Sequence, residues 1–367
     1  MSSLKFGKTR IVVLLLIVIL SGLEACKTKK VPVISGYPVK TAAYWTCPKM
    51  TNNQADSLSL HDVVIICIEN QFNNYGSLQH LKKLNPKIKL LGYYNSPEMW
   101  ENGYSTTPWQ SKIITEIKEK RQAWLLKSDR GEQIIFWKGM VMLNMSDYCP
   151  LIDGKKYSEW IAEKLNQEIF SDTIWDGNFL DNGGGNIFWV NDWPDNPAQG
   201  GIDANRDGQA DSQSVLDSQW SQGIAKYLLA IRQKNGPDFI IIANKGTTEF
   251  SGLVDGKFFE NFPNDYLGSK EDGGWQQCQI NANKLGPYTV FQVSRQNINF
   301  GLASALLLDN VYIAIGQDDP GLFKEFTIKL GNPEGSAKQN QGRYFRKYEV
   351  GQVEVFPKQK IGNIKLQ

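Results

Sequence analysis

Carboxylates close several of the apolar runs in this chain. Asp181 ends "WDGNFLD", Glu260 ends "KFFE", Glu69 ends "VVIICIE" and Asp309 ends "ALLLD". A carboxyl group at the rim of an apolar scaffold can give a proton, take one or attack carbon. A pair of them flanking one acetal bond can cleave it. Other chemistries lack their residues. Histidine occurs only as His61 and His80, away from any metal-ligand spacing, which sets aside zinc hydrolysis and Ser-His-Asp catalysis. After Cys26 the cysteines are Cys47, Cys67, Cys149 and Cys278, with no CxxC pair. Cys67, inside an apolar run, reads as a small buried hydrophobe; an oxidising compartment would permit a disulfide among the others.

Regular elements must hold these groups. Eight short apolar runs recur: Thr41–Trp45, Val63–Glu69, Ile88–Asn95, Ile174–Asp181, Phe239–Asn244, Lys257–Phe262, Tyr288–Ser294 and Ala305–Tyr312. Helical periodicity fills intervals such as Ser111–Lys127, Ser158–Phe170, Leu216–Lys234 and Trp275–Leu285. "FIIIAN" and "ALLLDN" are apolar at nearly every position, as strands covered on both faces must be. The alternation predicts a (β/α)8 TIM barrel over residues 37–318, with an open doubly wound sheet disfavoured because no GxGxxG follows the first strand. The region around "GEQIIFWKGMVMLNMSDYCP" predicts an added hairpin. The tail "RYFRKYEVGQVEVFP" predicts a small C-terminal β-hairpin appendage over 319–367.

In such barrels the reaction site lies at the carboxyl ends of the strands. Alternation puts Gly177, Phe179 and Asp181 on one face, with Asp176 at the strand's entrance in a structural place. The three glycines after Asn182 would let the chain turn sharply and keep the mouth open.

The amino-terminal segment speaks to location. Lys5, Lys8 and Arg10 precede an apolar run, Ile11–Leu20, too short to span a bilayer, so residues 1–25 read as a signal peptide. Leu23-Glu24-Ala25-Cys26 resembles a bacterial lipobox, which implies lipidation of Cys26, a tether over 26–36, and a lipid anchor in the cell envelope, at the outer membrane. Without Lys5, Lys8, Arg10 and Glu24, the 40 basic and 38 acidic residues become 37 of each. A neutral chain without a basic block has no footprint for nucleic acid. The aromatic fraction of 11% suits aromatic-lined clefts.

"WDGNFLDN", "DANRDGQAD", the helix bearing Trp220, "IIIANKG" and "YFRKYEVGQVEVFP", in that order over residues 40–357, resemble hypothetical glycosyl hydrolase family 15. That family is related in pattern to polygalactosaminidase-type and α-galactosidase-type barrels. The resemblance implies hydrolysis of O-glycosidic bonds in an oligo- or polysaccharide. It further implies Asp181 on the fourth strand as nucleophile and Glu260 on the sixth as acid/base, hence retention of configuration. The phenylalanines of "KFFENF" would desolvate Glu260 and raise its pKa. A barrel that holds glycan without cleaving it is the alternative.

Sugar sites pair flat aromatics with amides and carboxylates. Trp45, Tyr94 and Trp189 are candidates for ring faces, with Trp193 and Trp275 nearby. Glu69, Asn95, Asn182, Asn244, Arg295 and Asp309 are candidates for hydroxyls. No cofactor is required. Asp203, Asn205, Asp207 and Asp211 stand at positions one, three, five and nine of an EF-hand-like loop, with Gly208 at six and Ser214 where a bidentate Glu belongs. That spacing suits calcium, and equally a self-hydrogen-bonded turn.

Overall fold

The computed structural model describes residues 39–264 and 270–367. The leader, Cys26 and the tether lie outside the described residues. No helix among those described is long and apolar enough to cross a membrane.

Eight parallel strands close into a barrel in sequence order. They are β1 (Lys40–Trp45), β2 (Val63–Cys67), β3 (Lys89–Tyr94), β4 (Gly177–Leu180), β5 (Ile240–Asn244), β6 (Gly256–Phe259), β7 (Thr289–Val293) and β8 (Val311–Ile315). The pairing of Lys40 with Tyr312 and of Thr41 with Ile313 seals it. Every interior strand position on β2 and β5 is buried on both faces, which is why these runs lack polar alternation.

Helices cover the outside: α1 (Asn52–Leu58), α2 (Tyr75–Leu84), α3 (Pro108–Lys120), α4 (Tyr157–Glu168), α5 (Gln213–Asn235), α6 (Trp275–Asn283) and α7 (Ile298–Leu306). Thr51 and Gln54 form a capping box that starts α1. No helix stands between β5 and β6; residues 245–255 loop directly from one strand to the next.

The eighth strand corrects the expectation. Most of Ala305–Tyr312 is the end of α7 and its exit turn, and β8 begins at Val311. A buried helix segment and a buried strand are equally apolar, so the run's composition could not separate them.

The barrel interior is aromatic at mid-height. Tyr44, Phe179 and Phe258 meet with ring centroids 4.8 to 5.7 Å apart, and Phe179 and Phe258 are fully buried. Burying each phenylalanine contributes on the order of 1.5–3 kcal/mol, and together they plug the barrel below its mouth.

The tail forms four antiparallel strands, β9 (Lys338–Asn340), β10 (Arg343–Tyr348), β11 (Gly351–Phe356) and β12 (Ile361–Leu366), rather than a lone hairpin. Its core joins the barrel's outer layer: Tyr348, Val353 and Val355 pack in one cluster with Phe300 and Leu306 of α7. The expected hairpin before α4 is also different. Met140–Met142 pairs as a strand with Glu98–Trp100, and meets its own segment through the bond from the Met142 N–H to the Ile134 carbonyl. Lys127–Ser128 pairs with Ile202–Asp203.

Candidate active site

Strand alternation sets the site. Inward-facing residues within one step of the carboxyl ends of the strands form a polar layer at and above the aromatic plug. Tyr44, Tyr93, Asp181, Asn244, Glu260 and Gln292 stand in that layer.

Asn244 joins the two acids. Its Nδ2 donates to Asp181 Oδ1 at 2.8 Å and to Glu260 Oε2 at 2.9 Å. The amide cannot be turned over, because its Oδ1 accepts from the Lys245 N–H at 2.7 Å. The two carboxyl oxygens are therefore no farther apart than those two bonds laid end to end, and nearer because an amide's N–H bonds diverge at the trigonal angle. Asp181 accepts further from Tyr93 Oη at 2.8 Å and from the Asn182 N–H at 2.8 Å. Burial raises the pKa of Glu260 above the usual carboxylate value. The Asn244 amide opposes that, and the charge of Asp181 adds to it. Burial, with Asp181 and Glu260 adding their charge, also holds the Tyr44 phenol well above its ordinary value.

Three chain turns follow these residues directly. Asn182, Lys245 and Asn261 take φ of 50°, 89° and 52°, the left-handed region. The turn after Asp181 is thus made by Asn182, and none of Gly183, Gly184 and Gly185 has positive φ. Those glycines serve close packing instead: a Cβ on Gly183 would press on Ala243, and one on Gly184 would strike the Lys245 side chain.

A cleft of two lobes lies over the layer. The first, about 630 Å³, includes Asp181, Tyr93, Tyr94, Asn95, Glu69 and Trp137 in its lining. The second, about 620 Å³, is lined by Trp189, Trp193, Asn186, Lys245 and Asn264 among others. Asn182, Asn244, Glu260 and Phe136 border both.

Of the residues singled out from sequence, Asp181, Glu260, Tyr94, Asn95, Asn182 and Asn244 line the cleft, and Trp189 lines its second lobe. Glu69 lines the first lobe, but both its oxygens accept backbone N–H groups of α3, from Trp109 at 3.1 Å and Gln110 at 2.8 Å. It caps a helix there, and burial pushes its pKa up to about 7. Trp45 faces outward into the barrel–helix core, because alternation turns Tyr44 inward. Arg295 is exposed and pairs with Asp319 at 2.7 Å outside the cleft. Asp309 precedes β8, at the opposite end of the barrel, and pairs with Arg346. Trp275 is buried against Ser304. Asp176 is structural as expected, taking the Leu90 N–H and the ammonium of Lys82.

The acidic loop folds on itself. Asp203 accepts from the N–H groups of Asp207 at 3.2 Å and Gly208 at 2.9 Å, and Asp211 from Ala204 at 2.7 Å. Asn205 accepts from the Asp207 N–H at 3.0 Å. Among the described residues no three acidic, histidine or cysteine side chains converge on a metal position. The described cysteines are all free.

Sequence reasoning missed Tyr93, Lys245, Phe136, Trp137 and Glu98. Glu98 is fully buried, accepts from the Trp137 N–H at 2.8 Å, and has its pKa pushed up to about 8, by burial first. It lies in the segment after β3, where no strand-end argument reaches. Tyr93 was within reach, since the pairing of Tyr93 with Phe179 follows once β3 and β4 are neighbours.

The profile of hypothetical glycosyl hydrolase family 15 matches residues 82–352. The chain belongs to hypothetical glycosyl hydrolase family 15. The match runs from α2 through the barrel into the C-terminal sheet, so it covers both acids of the cleft. No curated protein sequence matches this family member. Among solved structures, a maltogenic α-amylase from Thermotoga neapolitana is similar with 9% identity and a TM-score of 0.47, covering 86% of this chain and 84% of the amylase. A dextranase from Flavobacterium johnsoniae is similar with 12% identity and a TM-score of 0.47, over 79% of this chain and 38% of the dextranase. The carboxyl transferase domain of Rhizobium etli pyruvate carboxylase reaches 8% identity and a TM-score of 0.37, over 79% of this chain and 45% of that one. Likeness at this level concerns the barrel and says nothing of the reaction.

Proposed function

We propose that the protein hydrolyses O-glycosidic bonds of an oligo- or polysaccharide with retention of configuration, Asp181 acting as nucleophile and Glu260 as acid/base. The observation that carries this reading is the sharing of one Asn244 amide by both carboxyl groups. That spacing is compatible with the roughly 5–5.5 Å of retaining enzymes and supports direct attack over the wider, water-mediated arrangement.

In the first step Asp181 attacks the anomeric carbon while Glu260 gives its proton to the departing oxygen. The glycosidic bond breaks as the ester to Asp181 forms. In the second, Glu260 takes a proton from water, whose oxygen attacks the same carbon and releases Asp181. Burial of Glu260 supports the acid role, since it keeps the proton at a pH where an exposed carboxyl would have lost it. Tyr93, Asn182 and Asn244 fix the direction of Asp181. The test is a pair of variants. Asp181→Ala should abolish turnover, and Glu260→Ala should recover on glycosides with an activated leaving group, which depart without protonation. Full activity in either variant overturns the assignment.

The same reading includes a lipid on Cys26 and attachment to the cell envelope, supported by the order of charged, apolar and small residues before that cysteine. Cys26→Ser should move the protein from the membrane fraction to the soluble one.

A further inference from the structure

We propose that the second lobe takes the leaving-group side of the glycan and selects there a unit carrying an anionic group, held by Lys245 with Trp189 against its ring. This rests on the roles given to Asp181 and Glu260 above.

The side follows from the borders of the lobes. A retaining acid/base protonates the oxygen between two sugars, so it stands at their junction, whereas the nucleophile lies with the sugar it attacks. Glu260 borders both lobes and Asp181 only the first. The first lobe thus holds the attacked sugar, and the second holds the unit that leaves.

The charge preference follows from Lys245. Its ammonium reaches Asn186 Oδ1 and lies 5.9 Å from the centre of the Trp189 ring. No carboxylate among the described residues pairs with it. The acids whose charge it feels are Glu249 and Asp217, and both are committed elsewhere. Glu249 accepts from the Gly185 N–H at 3.0 Å, and Asp217 from the N–H groups of Ile187 at 2.7 Å and Phe188 at 2.9 Å. A cation drawn out of water between an amide and an indole face gains from an incoming anion.

The lysine is also seated rather than merely nearby. Its backbone holds φ of 89°, which a side-chain-bearing residue adopts at a cost. Gly184 supplies the space its methylene chain fills. The surrounding wall is aromatic: Trp189 and Trp193 meet edge-to-face at 5.5 Å, with Phe136 at 4.9 and 4.7 Å from them, also edge-on. A single indole face of that wall can stack on a sugar ring while the ammonium meets a substituent on the ring's edge. Burial pushes the Lys245 pKa below its ordinary value, a penalty that a bound anion would relieve.

The experiment is isothermal titration of the full chain carrying Glu260→Gln, which separates binding from turnover. The probes are three tetrasaccharides of one backbone: uronate-bearing, its carboxyl-reduced neutral counterpart, and sulfated. At least one charged probe should bind about tenfold tighter than the neutral one, a preference that fades with salt. Whether the uronate or the sulfate shows it identifies the anion. Adding Lys245→Met should erase the preference and Lys245→Arg should keep it. Gly184→Ala, which displaces the lysine without deleting it, should weaken it. Equal binding of charged and neutral probes, binding by none, or a preference surviving Lys245→Met overturns the proposal. Failure of the catalytic reading shows separately, as turnover retained by Asp181→Ala.

Discussion

Tyr93 donates its phenolic proton to Asp181 Oδ2 at 2.8 Å, across the neighbouring strands β3 and β4. Tyr93 is half-buried in the cleft wall, with its pKa held well above the ordinary phenol value by desolvation first and by Asp181 next. It therefore stays a donor at any working pH, and its one acceptor is the carboxylate assigned to attack. Tyr93→Phe removes the donor and keeps the ring. A hydrogen bond to a charged group contributes about 1.5–3 kcal/mol, so kcat should fall about ten- to hundredfold with a smaller change in KM. Steady-state kinetics check this; a loss confined to KM would show that Tyr93 only shapes the cleft.

The pH profile follows from Glu260. Its folded pKa is raised above the usual carboxylate value, so the protonated acid persists to higher pH than an exposed glutamate would. The proton needed by the leaving oxygen is lost as pH rises through that raised value, which sets the alkaline limb of kcat/KM. Glu260→Ala, measured on a glycoside with an activated leaving group, should lose that limb and keep the acid one.

Buried Glu98 makes a stability prediction of its own. Its carboxyl goes from an unfolded value of 4.5 to about 8 in the fold, so folding favours the protonated form. The stability it contributes is fully present below about 4.5 and is lost as pH climbs to about 8. Glu98→Gln should flatten that part of the melting temperature's pH dependence. An unchanged slope in thermal melts between those values would place the titration on another group.

Asp203 gives a fourth. Its carboxylate accepts the N–H groups of Asp207 and Gly208. Asp203→Ala should lower the melting temperature even in the presence of a chelator, because the turn loses both bonds that its buried carboxylate makes to the N–H groups of Asp207 and Gly208. A rise in the wild-type melting temperature at millimolar calcium would add the ion to that turn, as the sequence positions of Asp203, Asn205, Asp207 and Asp211 lead one to expect.

The barrel was legible because strands buried on both faces leave unbroken apolar runs, and seven of the eight expected runs contain most of their strand, while the eighth shares only Val311 and Tyr312 with β8. The eighth failed because α7 is apolar all round, with Ile298 to Leu306 buried except at Asn299. That single error carried Asp309 to the wrong end of the molecule. Within the site, the pairing of Asp181 with Glu260 was readable from strand order once a family resemblance supplied the roles. The choice between Trp45 and Tyr44 was not readable. Two adjacent aromatics at a strand end differ only in phase, and phase is set by the plug of Phe179 and Phe258 that Tyr44 joins. Glu98 was hidden for another reason. It is held behind the cleft wall, against Asn95, by the antiparallel ribbon with Met142, a long-range pairing without a local signal.

The left-handed turns at Asn182, Lys245 and Asn261 have a consequence for redesign. Each ends its strand one residue beyond an acid or the amide that joins them, so the loops that wall the cleft begin afresh from there. The exposed turn at Ser251 and Gly252 can be lengthened with those anchor points unmoved, as an insert on a fixed chassis, whereas 183–187 is bound to its anchors by the packing of Gly183 on Ala243 and of Gly184 and Asn186 on Lys245. Lys245 is the exception, being both an anchor and a wall. An engineer who replaced it with glycine would relax the backbone and discard the ammonium in one substitution, whereas alanine would discard the ammonium alone.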